Sequence, residues 1–338
     1  MIKNEVKELW KLCFPDDNPE FVELYFRMRY NNDVNLAIRV GEDVVSALQM
    51  LPYPMTFCST QIDTAYISGA CTHPDFRRRG AMRELLAQAF AQMRQRGVLL
   101  STLIPATESL AAYYAHSGYA PVFGYAEQTF AAGQTAMPKG TEAKEETVLD
   151  TDAYDYVDRK MHERPCCLQH TAADMRVVMA ELPISHGCAY TLRNGNALQA
   201  FALFYPAGKG LTCAELLADN DKAANLLLNE VCRRHGLGSV RLLRPAEGDE
   251  PAKPLGMARI IDATTVLRLY AAAHPQLDVN IALTDPQLTS NSGFYYLNNG
   301  KCMRSAERLR GTHLNFDIAG LAAYVLTPLH PYMSLMLN

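Results

Sequence analysis

The 338-residue chain reads as a mixed α/β protein of the α+β class, in which one strand–strand–strand–helix–strand pattern occurs twice before a smaller α+β module. In the first copy, apolar stretches at 35–40 and 44–51 flank Gly41-Glu42-Asp43, which reads as strand, tight turn and strand. Residues 64–72 are a third strand, ending at His73-Pro74. Met82, Leu85, Leu86, Ala89, Phe90 and Met93 then recur at three- and four-residue spacing, the apolar stripe of a helix. Gly97 stops that helix, and residues 98–104 are a buried strand. Residues 108–116 form a short helix closed by Gly118, with a strand-like run at 119–130.

The second copy follows a charged stretch at 131–146. Residues 188–192 and 197–205 flank Asn194-Gly195, a strong hairpin signal. A strand at 211–218 leads to a helix at 221–235, with Ala223, Ala224, Leu227, Leu228 and Val231 on one face, and 239–243 is the closing strand. From about residue 255 the chain mixes strand and helix signals. A hairpin is expected around Asn298-Asn299-Gly300 and a helix at 317–326, enough for a module with its own small core. The expected units are 1–131, 132–254 and 255–338.

Composition narrows the function classes. A formal charge of −4 and 20% charged residues give no basic footprint for nucleic acid. No apolar run of about 20 residues exists, so no membrane span is expected. The amphipathic N-terminal segment lacks the features of a signal peptide. Nine cysteines are scattered without CxxC pairs or metal-ligand spacing. We therefore expect no metal site and a reducing, cytoplasmic setting. The adjacent Cys166 and Cys167 have no His/Asp framework at a recognisable spacing and read as bland thiols.

The chemistry concentrates in Thr72-His73-Pro74-Asp75-Phe76-Arg77-Arg78-Arg79-Gly80-Ala81-Met82-Arg83, fed by a strand and leaving into an amphipathic helix. Amide N–H groups at a helix start are unpaired, and the helix dipole adds partial positive charge. A diphosphate placed there takes several N–H bonds at once. Gly80 allows close backbone approach, and the arginines add charge. Neither GxGxxG nor GxxxxGK[ST] occurs, which removes the Rossmann and Walker alternatives. The matching point in the second copy is Asp219-Asn220-Asp221, without arginine.

This segment resembles the acetyl-CoA signature of the GNAT N-acetyltransferases, Pro-x-x-Arg-x-x-Gly-x-Gly/Ala: Pro74, Arg77 and Gly80 match, and Met82 departs. The layout resembles the Eis-type (enhanced intracellular survival) acetyltransferases, which implies tandem GNAT folds followed by a small sterol-carrier-protein-like domain. The resemblance implies acetyl-CoA as co-substrate, contacted by Ala70, Cys71 and Thr72 on the strand, by Arg77, Arg78, Arg79, Gly80, Ala81, Met82 and Arg83 in the loop, and by Tyr114.

It further implies transfer of acetyl to a primary amine of aminoglycoside-like, polyamine-like or lysine type, by direct attack in a ternary complex. Tyr119, in Ser117-Gly118-Tyr119-Ala120-Pro121, is the implied general acid, with Tyr113, Tyr114 and Tyr125 as nearby competitors. The implied base is the terminal carboxylate of Asn338, carried by an apolar tail that reads as buried. Asp17 and Glu20 could line a pocket for the cationic amine, a small molecule or peptide. Relatives assemble as homo-oligomers, so one is expected here. A lipid- or ligand-binding protein using the sterol-carrier-like module, or an acetyl-CoA sensor, are the competing readings.

Overall fold

The computed structural model describes residues 2–133 and 135–337. Two helices come first, α1 (Ile2–Cys13) and α2 (Pro19–Met28), then β1 (Asn35–Val40), β2 (Asp43–Phe57), β3 (Thr60–Thr72), α3 (Ala81–Gln95), β4 (Leu100–Leu103), α4 (Glu108–Ala115) and β5 (Ala120–Ala131). The second copy contains β6 (Thr141–Glu146), α5 (Thr151–His162), β7 (Cys167–Leu168), α6 (Ala172–Glu181), β8 (Cys188–Asn194), β9 (Ala197–Ala207), β10 (Gly210–Ala218), α7 (Asp221–His235) and β11 (Ser239–Arg244). The remainder is β12 (Lys253–Ile260), α8 (Ala263–Ala273), β13 (Asp278–Thr284), β14 (Gly293–Asn298), β15 (Lys301–Ser305), β16 (Leu314–Asp317) and α9 (Ile318–Leu326). No described helix is long and apolar enough to cross a membrane.

The duplication is visible in the pairing. In each copy an antiparallel set of strands ends in a parallel pair, β3 with β4 and β10 with β11, joined by the crossover helices α3 and α7. The copies meet edge to edge through the antiparallel pair β5 and β11, giving one 12-stranded sheet. A separate sheet runs β15-β14-β13-β16.

One strand lies where the local pattern does not put it. The boundary near residue 255 falls inside β12, which inserts antiparallel between β4 and β5 of the first copy. The reason is backbone satisfaction. β4 is only four residues long and every one is buried, so an open edge there would strand its peptide groups away from water. Met257, Ala258 and Ile260 bury on the same strand.

The C-terminal module has no separate core. Ile281, Leu283, Tyr295, Leu297, Leu321 and Val325 belong to the same apolar cluster as Trp10, Tyr25 and Leu51 of the first copy. The module is also locked by a fully buried ion pair. Arg259 of β12 donates two hydrogen bonds from Nη2 to Asp285, 2.8 and 2.9 Å, and one from Nη1 to the Ser117 carbonyl, 3.0 Å. The Asp285 carboxylate also accepts from the Leu288 N–H and from Asn291 Nδ2. Removing one partner leaves the other charged and dry. Asp285→Ala should therefore cost about 3–5 kcal/mol in urea unfolding.

Candidate active site

The cleft opens where β3 and β4 part. They pair only from Thr64–Leu100 to Tyr66–Thr102, after which β3 continues to Thr72 without β4 beside it. Beyond Thr72 the chain turns sharply. The His73 ring accepts the Asp75 N–H, and Arg77 Nε donates back to the Thr72 carbonyl at 3.1 Å. Arg78 and Gly80 follow at φ 62° and 89°, both left-handed, so the loop bends tightly about one centre before α3. Arg79 stacks over Phe76, 5.2 Å from the ring centroid.

α3 begins at the end of this loop and differs from the other helices. α2, α4, α5, α6, α7, α8 and α9 each have a side chain accepting an N-terminal N–H, from Asn18, Thr107, Asp150, Thr171, Asn220, Asp262 and Asp317 respectively. Gly80 leaves the α3 start uncapped. A Cβ at Gly80 would have only Arg83 Nη2 near it, at 3.7 Å. The protein does not fill that space, which suits the approach of an anionic group to the helix start.

Around this centre lies a cleft of about 810 Å³. Every residue expected to contact the cofactor lines it: Ala70, Cys71 and Thr72, the run from Arg77 to Arg83, and Tyr114. Tyr113 of α4, a competitor for the acid role, also lines it, as do Cys13 and Phe14 from the end of α1 and Leu110 of α4, which were not anticipated. No spacing in the sequence brings the end of α1 to the end of β3.

Tyr119, expected as the acid, is not among the lining residues. Its ring packs against Phe90 and Tyr114, and its hydroxyl shares a 2.7 Å hydrogen bond with Ser101 Oγ. It is 1% exposed, and burial pushes its hydroxyl up. The physical reason is the turn at Gly118, φ 84°, which sends the next side chain beneath α4 instead of into the cleft. Tyr114 occupies the cleft wall. Burial raises it to about 12, so it stays protonated, and its hydroxyl lies within electrostatic reach of Cys71 and of Tyr66, the last β3 residue paired to β4.

Asp17 and Glu20 do not line the cleft either. The Asp17 carboxylate accepts the Trp10 indole N–H at 2.7 Å, and Glu20 is exposed in the first turn of α2. They serve the helix entry. Asn338, the expected source of the base, lies outside the described residues. The tail before it is buried between the copies: Tyr332 N–H donates to the Cys166 carbonyl, and the Leu168 N–H donates to the Tyr332 carbonyl. His170 Nε2 donates to the Ser334 carbonyl at 2.9 Å, and the Ser334 hydroxyl bonds to Glu215, itself bidentate with Arg164. Burial lowers the His170 pKa, so the ring holds the tail as a neutral donor. A second cavity, about 220 Å³, lies beside this tail, lined by Ile104 at the end of β4, Tyr125, Ala214, Leu243, Leu255 and residues 332–336.

The second copy presents no equivalent of the loop. Its helix start is closed by Asn220, whose side chain accepts the Ala223 N–H at 3.0 Å. Cys166 and Cys167 are buried and their thiols pushed up, as bland thiols would be.

Comparison with known proteins agrees with this geometry. Residues 3–122 match the family model described as an acetyltransferase (GNAT) domain. A search of curated proteins finds no match. Among solved structures, a GCN5-related N-acetyltransferase from Kribbella flavida is similar at 19% identity, over 99% of this chain and 95% of that one, TM-score 0.74. A GCN5-related N-acetyltransferase from Anabaena variabilis shares 15% identity over 98% and 96% of the two chains, TM-score 0.75. Eis1 from Mycobacterium abscessus shares 13% over 96% and 87%, TM-score 0.74. At these identities the likeness is one of fold. The loop and its cleft fall within the matched stretch, so the chain carries an acetyltransferase (GNAT) domain over residues 3–122.

Proposed function

We propose that the protein transfers acetyl from acetyl-CoA to a primary alkylamine of lysine or polyamine type, in a ternary complex. The uncapped start of α3 beneath the arginine loop is the observation that carries this reading. In it, the N–H groups at Gly80 to Met82, with Arg78 and Arg83, hold the pyrophosphate, and β3 from Ala70 to Thr72 runs beside the pantetheine arm. Acetyl-CoA supplies the thioester.

Tyr114, in place of Tyr119, is then the proton donor to the departing thiolate. It is the more deeply set of the two cleft tyrosines, 8% exposed against 37% for Tyr113, and it lies within electrostatic reach of Cys71 on β3. The acceptor side is the tail cavity. Tyr66 links the two spaces: its hydroxyl bonds the Ile104 backbone, and Tyr114 is its neighbour on the cleft side. The cavity wall is mostly apolar, and its volume is below the roughly 300 Å³ where drug-sized pockets begin. An alkyl stem fits such a space better than a polycationic sugar does. Apolar surroundings also lower an amine's pKa, favouring the neutral nucleophile. We read the terminal carboxylate as the base; the burial of residues 332–335 just before it supports this. The fold of β13–β16 with α8 and α9 we read as the counterpart of a sterol-carrier-like module that delivers this tail. Its inner face is filled by core side chains, which favours a structural role over lipid binding.

Gly80→Val should weaken acetyl-CoA binding in calorimetry by at least about tenfold, through φ strain and lost approach. Asn220→Ala should leave that affinity unchanged while costing about 1 kcal/mol of stability through a lost cap. Tyr114→Phe should lower turnover about 10²-fold with acetyl-CoA affinity kept. Tyr119→Phe should instead keep turnover and lose stability, about 1–3 kcal/mol for a buried hydrogen bond. Equal turnover in the two tyrosine variants would remove the assignment. A C-terminal tag should depress turnover on a lysine-type amine relative to an N-terminal tag; equal rates would place the base elsewhere.

A further inference from the structure

The cofactor cleft contains two thiols that acetyl transfer does not use. Cys13 ends α1 and Cys71 lies on β3, and both line the cleft beside the arginine loop. Their side chains share a hydrogen bond, and Cys13 Sγ also donates to the Thr72 carbonyl at 3.4 Å. Cys71 is 4% exposed, while Cys13 is partly open to the cleft. One thiol of the pair is half-buried and its neighbour is buried. The ligand expected in that space is itself a thiol carrier.

Resting on the reading of the cleft as a coenzyme A site, we propose that Cys13 and Cys71 form a thiol-modification site for disulfides of coenzyme A. In the first step the Cys13 thiolate attacks one sulfur of a coenzyme A disulfide. The Cys13–S–S–CoA bond forms, the original S–S bond breaks, and one coenzyme A thiolate leaves. In the second step Cys71 gives up its proton and attacks the Cys13 sulfur, closing a Cys13–Cys71 disulfide and releasing the second coenzyme A thiol. Two cysteines are oxidised and one coenzyme A disulfide is reduced to two thiols, so electrons and protons balance with no other oxidant. The product ties the end of α1 to β3 within the cleft wall, so acetyl-CoA meets an altered wall when the coenzyme pool is oxidised.

The electrostatics agree with the roles. The groups facing Cys13 are Cys71, Arg77 and the Thr72 backbone; together they lower its pKa to about 7, with the hydrogen bond from Cys71 the largest cause. Cys71 is pushed well up, mainly by that same hydrogen bond and by burial, as suits a resolving thiol that acts second. The contrast with the other cysteines is one of sign. Burial raises Cys58, Cys166, Cys167, Cys188, Cys213, Cys232 and Cys302. Reactive thiols are those with lowered pKa and access, and Cys13 has both.

The test treats the full chain with coenzyme A disulfide and reads intact mass and peptide maps. Wild type should end as an internal Cys13–Cys71 disulfide with two coenzyme A thiols released per protein, and should lose acetyl-CoA binding until a dithiol reductant restores it. Cys71→Ser and Cys71→Ala should each trap one coenzyme A on Cys13, and Cys13→Ser should take up none in the cleft. The rate should rise as pH passes through about 7, because Cys13 becomes thiolate there and not near 9. Acetyl-CoA at about ten times its Kd should slow modification roughly tenfold by mass action. Pantethine, which lacks the nucleotide, should react more slowly than coenzyme A disulfide. If wild type binds acetyl-CoA but Cys13 stays unmodified in both Cys71 variants, the proposal is overturned and the cleft reading stands. If wild type does not bind acetyl-CoA at all, the cleft reading itself fails. Modification that acetyl-CoA does not slow would show a surface thiol outside the site and overturn the proposal equally.

Discussion

The geometry of the cleft depends on a contact that lies outside it, the buried pair between Arg259 and Asp285. Arg259 reaches from β12 to the Ser117 carbonyl, and its Nη1 lies only 1.9 Å from where a Cβ on Gly118 would stand. The turn therefore needs glycine for two reasons, its φ of 84° and the guanidinium in the space a side chain would take. That turn ends α4, with the Ser117 N–H bonded to the Tyr114 carbonyl at 2.9 Å. Tyr114 thus stands on a helix whose last turn is held by an arginine of β12, and that arginine is held by an aspartate of the C-terminal module. A buried ion pair seldom adds net stability over an apolar packing of similar volume. Here it fixes a register: α4, β12 and the module can assemble in one arrangement.

The two copies share a strand pattern and differ in what occupies the gap after the parallel pair. In the first copy the gap is bordered by the arginine loop and an uncapped helix, and it stays open. In the second, Asn220 satisfies the helix start, and β10 carries an irregularity between Cys213 and Glu215. Glu215 is 1% exposed and takes Arg164 and Ser334 as partners. Ala214 and Leu243, just past the paired residues of β10 and β11, border the tail. The space that would correspond to a cofactor gap is thus bordered by the protein's own C-terminal segment. The second copy has become a wall and an anchor, and its polar interior is spent on holding chain.

What the sequence makes legible follows from how local each feature is. The loop from Thr72 to Arg83 is contiguous, its strand and helix adjoin it, and its chemistry needs only backbone amides, one glycine and arginines. The hairpin at Asn194-Gly195 is equally local, and β8 and β9 form around it. The insertion of β12 is not legible, because its partners β4 and β5 lie more than a hundred residues earlier and nothing in Lys253–Ile260 names them. The place of Tyr114 at the cofactor cleft is legible, whereas the burial of Tyr119 is not. Both are tyrosines beside the same turn, and Tyr119 finds its partners in Phe90 of α3 and Ser101 of β4, which nothing beside the turn names. The thiol pair is hidden for the same reason: Cys13 and Cys71 meet only after α1 has packed across β2 and β3.

This division between local and non-local has a functional side. The loop proposed to hold the pyrophosphate comes from one stretch of chain, so a short motif carries it, while α1 and α4 complete the wall of its cleft. On the proposed reading, the acceptor side is assembled from the end of β4, from β5, from the second copy and from the tail, none adjacent in sequence. Its shape can therefore change with any of four segments while the cofactor site stays fixed. A neutral His170 donating to the Ser334 carbonyl and a Glu215 already neutralised by Arg164 add no net charge to that wall, so the cavity discriminates by volume and apolar contact. An enzyme built this way keeps one donor and changes acceptors by repacking a boundary between two copies of the same fold.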